Sequence, residues 1–274
     1  MPDRVALVTG ASRGIGAASA RRLARDGMAV AINSHPDDGM VALAEQVAAG
    51  IRDDGGTAIV CAADVSESYA VEAMFERCEA ELGPVGVLVN NAMVTRRAAW
   101  HEITDDDWDR IMAVNLRGAF LCSRRAFGAA GDTSAGDAPV SGAPTEGGPV
   151  REASVEDGAI ITISSVLARV GAADSVPYVT AKAGLLGFTR SMARALDPQD
   201  VRVNAIMPGA IRTEEELEST PDPEVARRNA FAVQSLQRRG MAEDIAGVVS
   251  FLAGPDSSFM TGQALCVDGG WTFS

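Results

Sequence analysis

The clearest chemical pair in this chain is Tyr178 and Lys182, which stand four positions apart. On a helix this spacing puts both side chains on the same face. A free tyrosine has a pKa of about 10, too high for a base near neutral pH, and a nearby ammonium lowers that pKa by favouring the phenolate. Every other strongly basic residue is an arginine, so Lys182 is the single lysine. The pair could therefore exchange a proton with a reacting substrate oxygen.

A serine upstream of this pair could hold the same substrate oxygen. Ser165 lies thirteen residues before Tyr178, at the end of an apolar run that predicts a strand. Its hydroxyl could orient a substrate beside the tyrosine. Ser164 is the neighbouring alternative, and the spacing favours Ser165.

A glycine-rich segment near the start of the chain has the composition of a phosphate-binding turn. Residues 9–16 read TGASRGIG and lie between a predicted strand and a predicted helix. Glycines allow a tight turn and let a pyrophosphate approach the amino end of the helix. The residues expected to form this site are Gly10, Ser12, Arg13, Gly14, Ile15 and Gly16. An ordinary glycine-containing turn is the alternative.

Short apolar runs alternate with helical patterns along most of the chain. Predicted strands cover residues 4–9, 29–33, 57–62, 87–89, 159–163, 201–206 and 264–267, and predicted helices cover 14–26, 39–53, 67–82, 105–127, 176–196 and 242–253. The strands are apolar throughout, as expected when helices cover both faces of a parallel sheet. We therefore predict an α/β fold: a single doubly wound, Rossmann-type domain over residues 1–274, with a parallel sheet of about seven strands.

One stretch breaks this alternation. Residues 128–158 are rich in Gly, Pro, Ala, Ser and acidic residues and contain few large apolar side chains. Such a composition cannot supply much core. Because the strand pattern resumes directly afterwards, an extended surface loop inserted into one domain is favoured over a linker between two domains.

Composition argues against several classes of function. The net charge of −13, with no basic cluster to offset it, makes nucleic acid an unsuitable partner.

No run reaches the roughly 18 to 20 apolar residues of a membrane helix, and the amino end has no signal-peptide pattern, so we expect a cytoplasmic protein. The four cysteines are scattered and His35 and His101 are far apart, so we expect reduced thiols and no metal site.

In their order and spacing, these motifs resemble the short-chain dehydrogenase/reductase family. Residues 9–16 match its TGxxxGxG pattern, and Tyr178 with Lys182 matches its YxxxK pattern. Further family positions are matched by Asp64, Val65, Asn91, Ala92, Pro208, Gly209, Ile211 and Thr213. The resemblance covers nearly the whole chain and is strongest to the 3-oxoacyl-carrier-protein reductase-like branch.

The resemblance implies hydride transfer between a nicotinamide and a carbonyl or secondary alcohol. It assigns substrate orientation to Ser165 and proton transfer to Tyr178 and Lys182. It also implies that the backbone carbonyl of Asn115 positions a water in a proton relay, whereas a helical asparagine is more often structural. It places Asp64 and Val65 at the adenine, Asn91 and Ala92 at the ribose, and Pro208, Gly209, Ile211 and Thr213 at the nicotinamide end. Tyr178 and Lys182 are expected to bind the cofactor as well.

The end of the second predicted strand bears on the choice of cofactor. NAD-preferring relatives usually carry an acidic residue at the position of Ser34, where it accepts from the ribose hydroxyls and repels a 2′-phosphate. Here Ser34 and His35 could donate to that phosphate, and Arg13 could approach it as a fixed positive charge. We therefore expect NADP(H) to be preferred, with NAD(H) possible.

Two further features of the sequence bear on the substrate. Met93 stands where the family usually has glycine, so we expect its side chain either to narrow the gap to the cofactor ribose or to enter the substrate pocket. The polar segment 212–239 resembles the family's variable lid over the substrate. A small ketone of the 3-oxoacyl or secondary-metabolite type is favoured, a sugar or polyol is the alternative, and a cofactor-sensing protein without turnover is disfavoured because Tyr178 and Lys182 are both kept. The resemblance also implies a homotetramer or a homodimer.

Overall fold

The computed structural model describes residues 4–128 and 157–273. Its strands are β1 (Val5–Val8), β2 (Ala29–Ser34), β3 (Ala58–Ala62), β4 (Val85–Asn90), β5 (Gly158–Ile163), β6 (Val201–Pro208), β7 (Ile211–Arg212), β8 (Gly240–Met241) and β9 (Ala264–Val267). Its α-helices are α1 (Gly14–Arg25), α2 (Asp38–Asp53), α3 (Ser68–Leu82), α4 (Asp105–Met112), α5 (Gly118–Phe127), α6 (Leu167–Val170), α7 (Val176–Ala195), α8 (Glu214–Ser219), α9 (Pro223–Val233) and α10 (Ala242–Ala253).

Seven of these strands form one parallel sheet in the order β3-β2-β1-β4-β5-β6-β9. The chain begins in the middle with β1, runs outward to β3, and then returns to β4 on the other side of β1. Such a reversal opens a crevice beyond the carboxyl ends of the two central strands, where α/β folds bind ligands. The predicted doubly wound parallel sheet of about seven strands is confirmed.

Neighbouring residues of β1 show that the sheet is covered on both faces. Ala6 and Val8 belong to one buried apolar cluster, and Val5 and Leu7 belong to another. Adjacent side chains of a strand point to opposite faces of the sheet. The first cluster contains residues of α1, α2 and α10, and the second contains residues of α3, α5 and α7. Burial on both faces explains why the strands show no polar alternation.

The helix predicted over residues 105–127 is interrupted in the structure. α4 ends at Met112, residues Ala113–Arg117 form a π-helical turn, and α5 begins at Gly118. Turns of this kind are rare and occur frequently at functional sites. An amphipathic pattern specifies which face of a helix is buried but not its hydrogen-bond spacing, so the sequence did not indicate the interruption.

A two-stranded parallel ribbon closes the segment 212–239 at its base, where β7 pairs with β8. Along the chain, α8 and α9 follow β7 and precede β8. Thr213 caps α8, because its side chain accepts a hydrogen bond from the backbone N–H of Glu216. Most of the predicted insertion, residues 129–156, lies outside the described residues. Within residues 4–128 and 157–273, no helix is long and apolar enough to cross a membrane.

Candidate active site

Two adjacent serines follow β5 at the carboxyl edge of the sheet and have different partners. The buried Ser164 hydroxyl donates to the backbone carbonyl of Lys182 at 2.7 Å. The Ser165 Oγ accepts a hydrogen bond from the backbone N–H of Leu167 at 3.1 Å. A hydroxyl that accepts a hydrogen bond keeps its own proton for donation. The hydrogen-bond partners therefore favour Ser165 as the serine whose O–H can donate to a substrate oxygen.

Tyr178 and Lys182 lie in the first turns of α7, as the spacing predicted. Lys182 is only 2% exposed, so its ammonium is almost entirely removed from solvent. Its Nζ donates to the carbonyl of Ile163, the last residue of β5, at 2.7 Å. The same nitrogen lies 5.6 Å from the centre of the Tyr178 ring. The lysine is thus fixed between the end of β5 and the tyrosine.

Asn115 is buried in the π-helical turn, and its side chain holds the loop that follows β4. Its Oδ1 accepts from the backbone N–H of Val94 at 2.8 Å, and its Nδ2 donates to the carbonyl of the same residue at 2.9 Å. The side-chain amide is therefore used in positioning this loop. The relay role predicted from the resemblance concerns the backbone carbonyl and is not affected by these bonds.

The glycine-rich loop lies against the end of β4. Gly10 has a φ of +60°, and a methyl group placed on it would lie 2.7 Å from the Cα of Ala92. Only glycine combines this backbone conformation with so close an approach. A methyl group on Gly16 would overlap the carbonyl oxygen of Gly10. The Thr9 hydroxyl accepts from the backbone N–H groups of Asn91 and Ala92 at 2.9 and 3.0 Å, which joins the two loops.

A cavity of about 310 Å³ connects the glycine-rich loop with the serine and the tyrosine. The predicted site residues on its wall are Gly10, Ser12, Arg13, Gly14, Ile15, His35, Asp64, Val65, Asn91, Ala92, Ser165, Tyr178, Lys182, Pro208, Gly209, Ile211 and Thr213. Three predicted residues, Gly16, Ser34 and Asn115, do not line the cavity. The residues predicted for catalysis and those predicted for cofactor binding therefore share a continuous surface.

Ser34 does not lie where the cofactor prediction expected a donor to the 2′-phosphate. It is the last residue of β2 and is 0% exposed, whereas its neighbours Asn33 and His35 line the cavity. Because side chains alternate along a strand, the hydroxyl points away from the face that Asn33 presents. The structure therefore does not place Ser34 as a donor to a ligand in this cavity.

Several wall residues were not predicted as part of the site. They are Asn33, Met40, Ala63, Val94, Arg110, Val114, Ile163 and Glu214, and Met93 joins them on the wall. Arg110 comes from α4 and reaches the end of β3, 46 residues earlier in the chain, where its Nη1 lies 2.9 Å from Asp64 Oδ2. No local pattern signals such a contact, because it depends on how α4 packs against the sheet.

The adenine end predicted for the cavity carries both signs of charge. Burial alone would raise the pKa of Asp64, but hydrogen bonds from Ser66 and Arg110 outweigh it and lower that pKa below its usual value. His35 lies between two carboxylates, with its Nδ1 2.9 Å from Asp37 Oδ2 and its Nε2 3.7 Å from Asp64 Oδ2. Asp64 is therefore ionised at neutral pH and partly neutralised by Arg110.

The cysteines form no disulfide and differ in their burial. Cys61, Cys78 and Cys122 are buried, whereas Cys266 is partly exposed. Burial raises the pKa of Cys61 to about 11 and the pKa values of Cys78 and Cys122 to about 12. These three thiols are therefore poor nucleophiles at neutral pH. Among the described residues, no group of three or more His, Cys, Asp or Glu side chains is placed to hold a metal ion.

Two family models match the chain. The model described as short chain dehydrogenase matches residues 4–137, and the model described as Enoyl-(Acyl carrier protein) reductase matches residues 148–272. Both matches include parts of the cavity wall, since the glycine-rich loop falls in the first and Tyr178 with Lys182 falls in the second.

Curated relatives are similar over almost their whole length. Cis-4-hydroxycyclohexanecarboxylate dehydrogenase of Sinomonas cyclohexanicum is 36% identical, over 98% of this chain and 97% of the relative. L-rhamnose 1-dehydrogenase (NAD(P)(+)) of Azotobacter vinelandii is 35% identical, over 98% and 96%. The 3-oxoacyl-[acyl-carrier-protein] reductase of a Synechocystis species is 34% identical, over 97% and 96%.

A solved structure agrees with these sequence matches. A blue fluorescent protein from a metagenomic library, crystallised in complex with NADPH, superposes with a TM-score of 0.83 at 36% identity, over 98% of each chain. The family models, the relatives and the fold thus agree over nearly the whole chain. The chain belongs to the short-chain dehydrogenase/reductase family and is an oxidoreductase.

Proposed function

We propose that this oxidoreductase uses NADP(H) to interconvert a ketone and a secondary alcohol, with Tyr178 transferring the proton. The observation that carries the proposal is that Ser165, Tyr178 and Lys182 share one cavity with the glycine-rich loop. Such an arrangement lets a substrate oxygen be held within reach of a proton donor while a dinucleotide extends along the same cavity.

The residues present fit a dinucleotide. Gly10 and Gly14 line the cavity with no side chain of their own, and the start of α1 supplies backbone N–H groups and the positive end of the helix dipole. We assign Ser12, Arg13, Gly14 and Ile15 to the phosphates, Asp64 and Val65 to the adenine, Asn91 and Ala92 to the ribose, and Pro208, Gly209, Ile211 and Thr213 to the nicotinamide end. When bound, the nicotinamide would supply or accept the hydride.

The protein's own part of the reaction is to hold the substrate oxygen and to move a proton. Ser165 and Tyr178 would donate hydrogen bonds to that oxygen, and in the direction of reduction Tyr178 would then give up its phenolic proton. The positive charge of Lys182 favours the resulting phenolate. The bond from Lys182 to Ile163 keeps the ammonium in place, and the backbone carbonyl of Asn115 would position a water that returns the proton.

A turnover assay tests this proposal. NADPH oxidation is followed by absorbance with a panel of β-ketoesters, cyclic ketones and quinones, and the reverse reaction is followed with the matching alcohols. We expect at least one class of ketone to be reduced, and we expect this reduction to require Tyr178. Tight binding of NADPH without turnover of any member would instead support a protein that senses the cofactor without catalysis.

The wall of the cavity favours a substrate with an apolar body over a sugar. Met93, Val94 and Val114 contribute apolar side chains to the wall. A polyol would place several hydroxyl groups against such side chains without partners, which costs free energy. We therefore place 3-oxoacyl-type or alicyclic ketones first, and the similarity to L-rhamnose 1-dehydrogenase keeps a sugar as the alternative. Rates with a 3-oxoacyl thioester, cis-4-hydroxycyclohexanecarboxylate and L-rhamnose discriminate among these classes.

The segment 212–239 is proposed to act as a lid over the substrate. Its base is fixed by the β7–β8 ribbon, and Glu214 of α8 reaches the cavity wall. A segment held at its base and free to move at its tip can close over a bound ligand. Exchanging residues 214–233 for the corresponding segment of a relative should change the preferred substrate while leaving the choice of cofactor with the parent.

Preference for NADP(H) is proposed because Arg13 and His35 line the cavity and could both donate to a 2′-phosphate. The complex of the similar blue fluorescent protein with NADPH supports the same choice. His35→Asp tests this preference, because it puts a carboxylate on the cavity wall, whereas a carboxylate at the buried position 34 would not reach the wall. We expect the ratio of kcat/KM for NADPH to that for NADH to fall by about 10-fold or more. An unchanged ratio would contradict the proposed phosphate position.

Assembly as a homotetramer or homodimer is proposed from the exposed aromatic side chains. Trp100, Trp108 and Phe120 are 72%, 39% and 43% exposed on the stretch that includes α4 and α5, and Phe259 and Phe273 are 103% and 83% exposed near the carboxyl end. Large aromatic side chains are enriched in protein interfaces. Light scattering should give a multiple of the chain mass of 28.4 kDa. A monomer at micromolar concentration would contradict this proposal.

A further inference from the structure

An ion pair links the glycine-rich loop to the segment 212–239. Arg13 Nη1 lies 2.6 Å from Glu218 Oε1, and the two residues are 205 positions apart in the chain. Arg13 is the N-cap residue of α1 and lines the cavity, whereas Glu218 belongs to α8. The guanidinium that we assign to the 2′-phosphate of the cofactor is thus already bound to a carboxylate of the protein.

A second acid of α8 lies near the same loop. A methyl group placed on Gly14 would lie 3.6 Å from Glu214 Oε2 and 3.5 Å from Thr213 Cγ2. Gly14 is the first residue of α1, so this carboxylate stands close to the amino end of that helix, where a phosphate would bind. α8 therefore presents negative charge to two positions that a phosphorylated cofactor would occupy.

The base of α8 is held separately from its tip. Thr213 caps its start, and Glu216 pairs with Arg239, which precedes β8. Breaking the contact between Arg13 and Glu218 would therefore remove the link from the end of α8 to the glycine-rich loop and leave the contacts of Thr213 and Glu216 in place. The side chains of Arg13 and Glu218 are 32% and 65% exposed, so their pairing is weak enough for a ligand to break.

We propose that Glu218 is a specificity-determining residue that competes with the 2′-phosphate of NADP(H) for Arg13. A dinucleotide with this phosphate can replace the carboxylate at Arg13 and release the tip of α8, whereas NAD(H) has no group to do so. Cofactor choice and the position of the segment 212–239 are then coupled through a single arginine. The inference rests on the proposed use of NADP(H) and deepens it.

The test compares binding of NADPH, NADH and adenosine 2′,5′-bisphosphate, the last of which carries the phosphate without the nicotinamide. Glu218→Gln should tighten NADPH and the bisphosphate by about 2- to 5-fold and leave the Kd of NADH unchanged. The same substitution should increase amide hydrogen exchange of residues 214–219 in the cofactor-free protein. Glu224→Gln is the matched control, because it removes the same charge from a glutamate of α9 that pairs with Arg227.

The outcomes separate this inference from the proposed function. A parent protein that prefers NADH, or an Arg13→Met variant that binds NADPH normally, overturns the cofactor proposal and the role of Glu218 with it. A parent that prefers NADPH, together with Glu218→Gln that changes NADPH and NADH affinity equally or not at all, overturns only the role of Glu218. Loss of the Glu218→Gln effect in the Arg13→Met background would support direct competition.

Discussion

The hydroxyl of Ser164 donates to the backbone carbonyl of Lys182 across 2.7 Å. This bond ties the end of the central strand β5 to the helix that carries Tyr178 and Lys182. Ser165, the next residue, has no part in this bond and lies on the wall of the same cavity. Both serines line the cavity, but only Ser164 is used in this bond, and we propose that Ser165 holds the substrate oxygen.

The two serines should respond differently to the same substitution. Ser165→Ala should lower kcat by about 10²-fold with little change in stability, because it removes a hydrogen-bond donor to the substrate oxygen. Ser164→Ala should lower the free energy of unfolding by about 1 to 2 kcal/mol, because a buried hydrogen bond is lost. Turnover assays and urea unfolding of both variants measure these effects. The opposite pattern would exchange the two assignments.

Arg202 should be the arginine on which stability depends most. It is 7% exposed, and its guanidinium donates to the carbonyls of Leu252, Gly254 and Ser257, which lie at and beyond the end of α10. Arg202→Met should cost about 2 to 4 kcal/mol, because these buried carbonyls lose their donor. The exposed Arg227→Met should cost much less stability than Arg202→Met. Equal losses of unfolding free energy in the two variants would show that the bonds from Arg202 to the end of α10 do not stabilise the fold.

Asp244 should contribute to stability only above acid pH. Hydrogen bonds from the side chain of Arg238 lower its pKa, and it also accepts from the backbone N–H of Met241. A lowered pKa in the folded state gives stability that is present above the pKa of the unfolded chain, about 3.9, and is lost as the pH falls through the folded value. Asp244→Asn should therefore cost about 0.5 to 1 kcal/mol at pH 7, and this cost should decrease as the pH falls below about 3.9. A cost that does not depend on pH would contradict the ionic part of this contact.

Cys266 should be the first of the four thiols to react. It is partly exposed, whereas burial raises the pKa values of Cys61, Cys78 and Cys122. A disulfide reagent at pH 8 should modify one thiol in the native protein and four after denaturation. Cys266→Ser should remove this fast phase of thiol modification in the native protein. A fast phase that remains in this variant would show that a buried thiol becomes accessible.

Much of the fold could be predicted because its signals are local. Apolar runs without alternation indicate strands buried on both faces, and the order of strands and helices then leads to a doubly wound parallel sheet. The spacing of Tyr178 and Lys182 required only that they lie on one helix. The π-helical turn at Asn115 was missed, because it is a change in backbone hydrogen bonding that side-chain periodicity does not report.

The contacts between distant segments could not be predicted. Arg110 with Asp64 and Arg13 with Glu218 depend on how helices pack over the cavity, and no spacing in the sequence signals either pair. Ser34 shows a different limit. Its position at the end of β2 was identified, but a shift of one residue along a strand reverses the face of every side chain, so Asn33 lines the cavity and Ser34 does not.

The most direct test of the proposed mechanism is the turnover of Tyr178→Phe with the best ketone found in the panel. This change removes one oxygen atom and keeps the ring that lies beside Lys182. If Tyr178 transfers the proton, kcat should fall by about 10³-fold or more while the Kd of NADPH stays within about 2-fold of the parent value. Near-normal turnover in a variant that still binds NADPH would contradict the assignment of Tyr178 as the proton-transfer group.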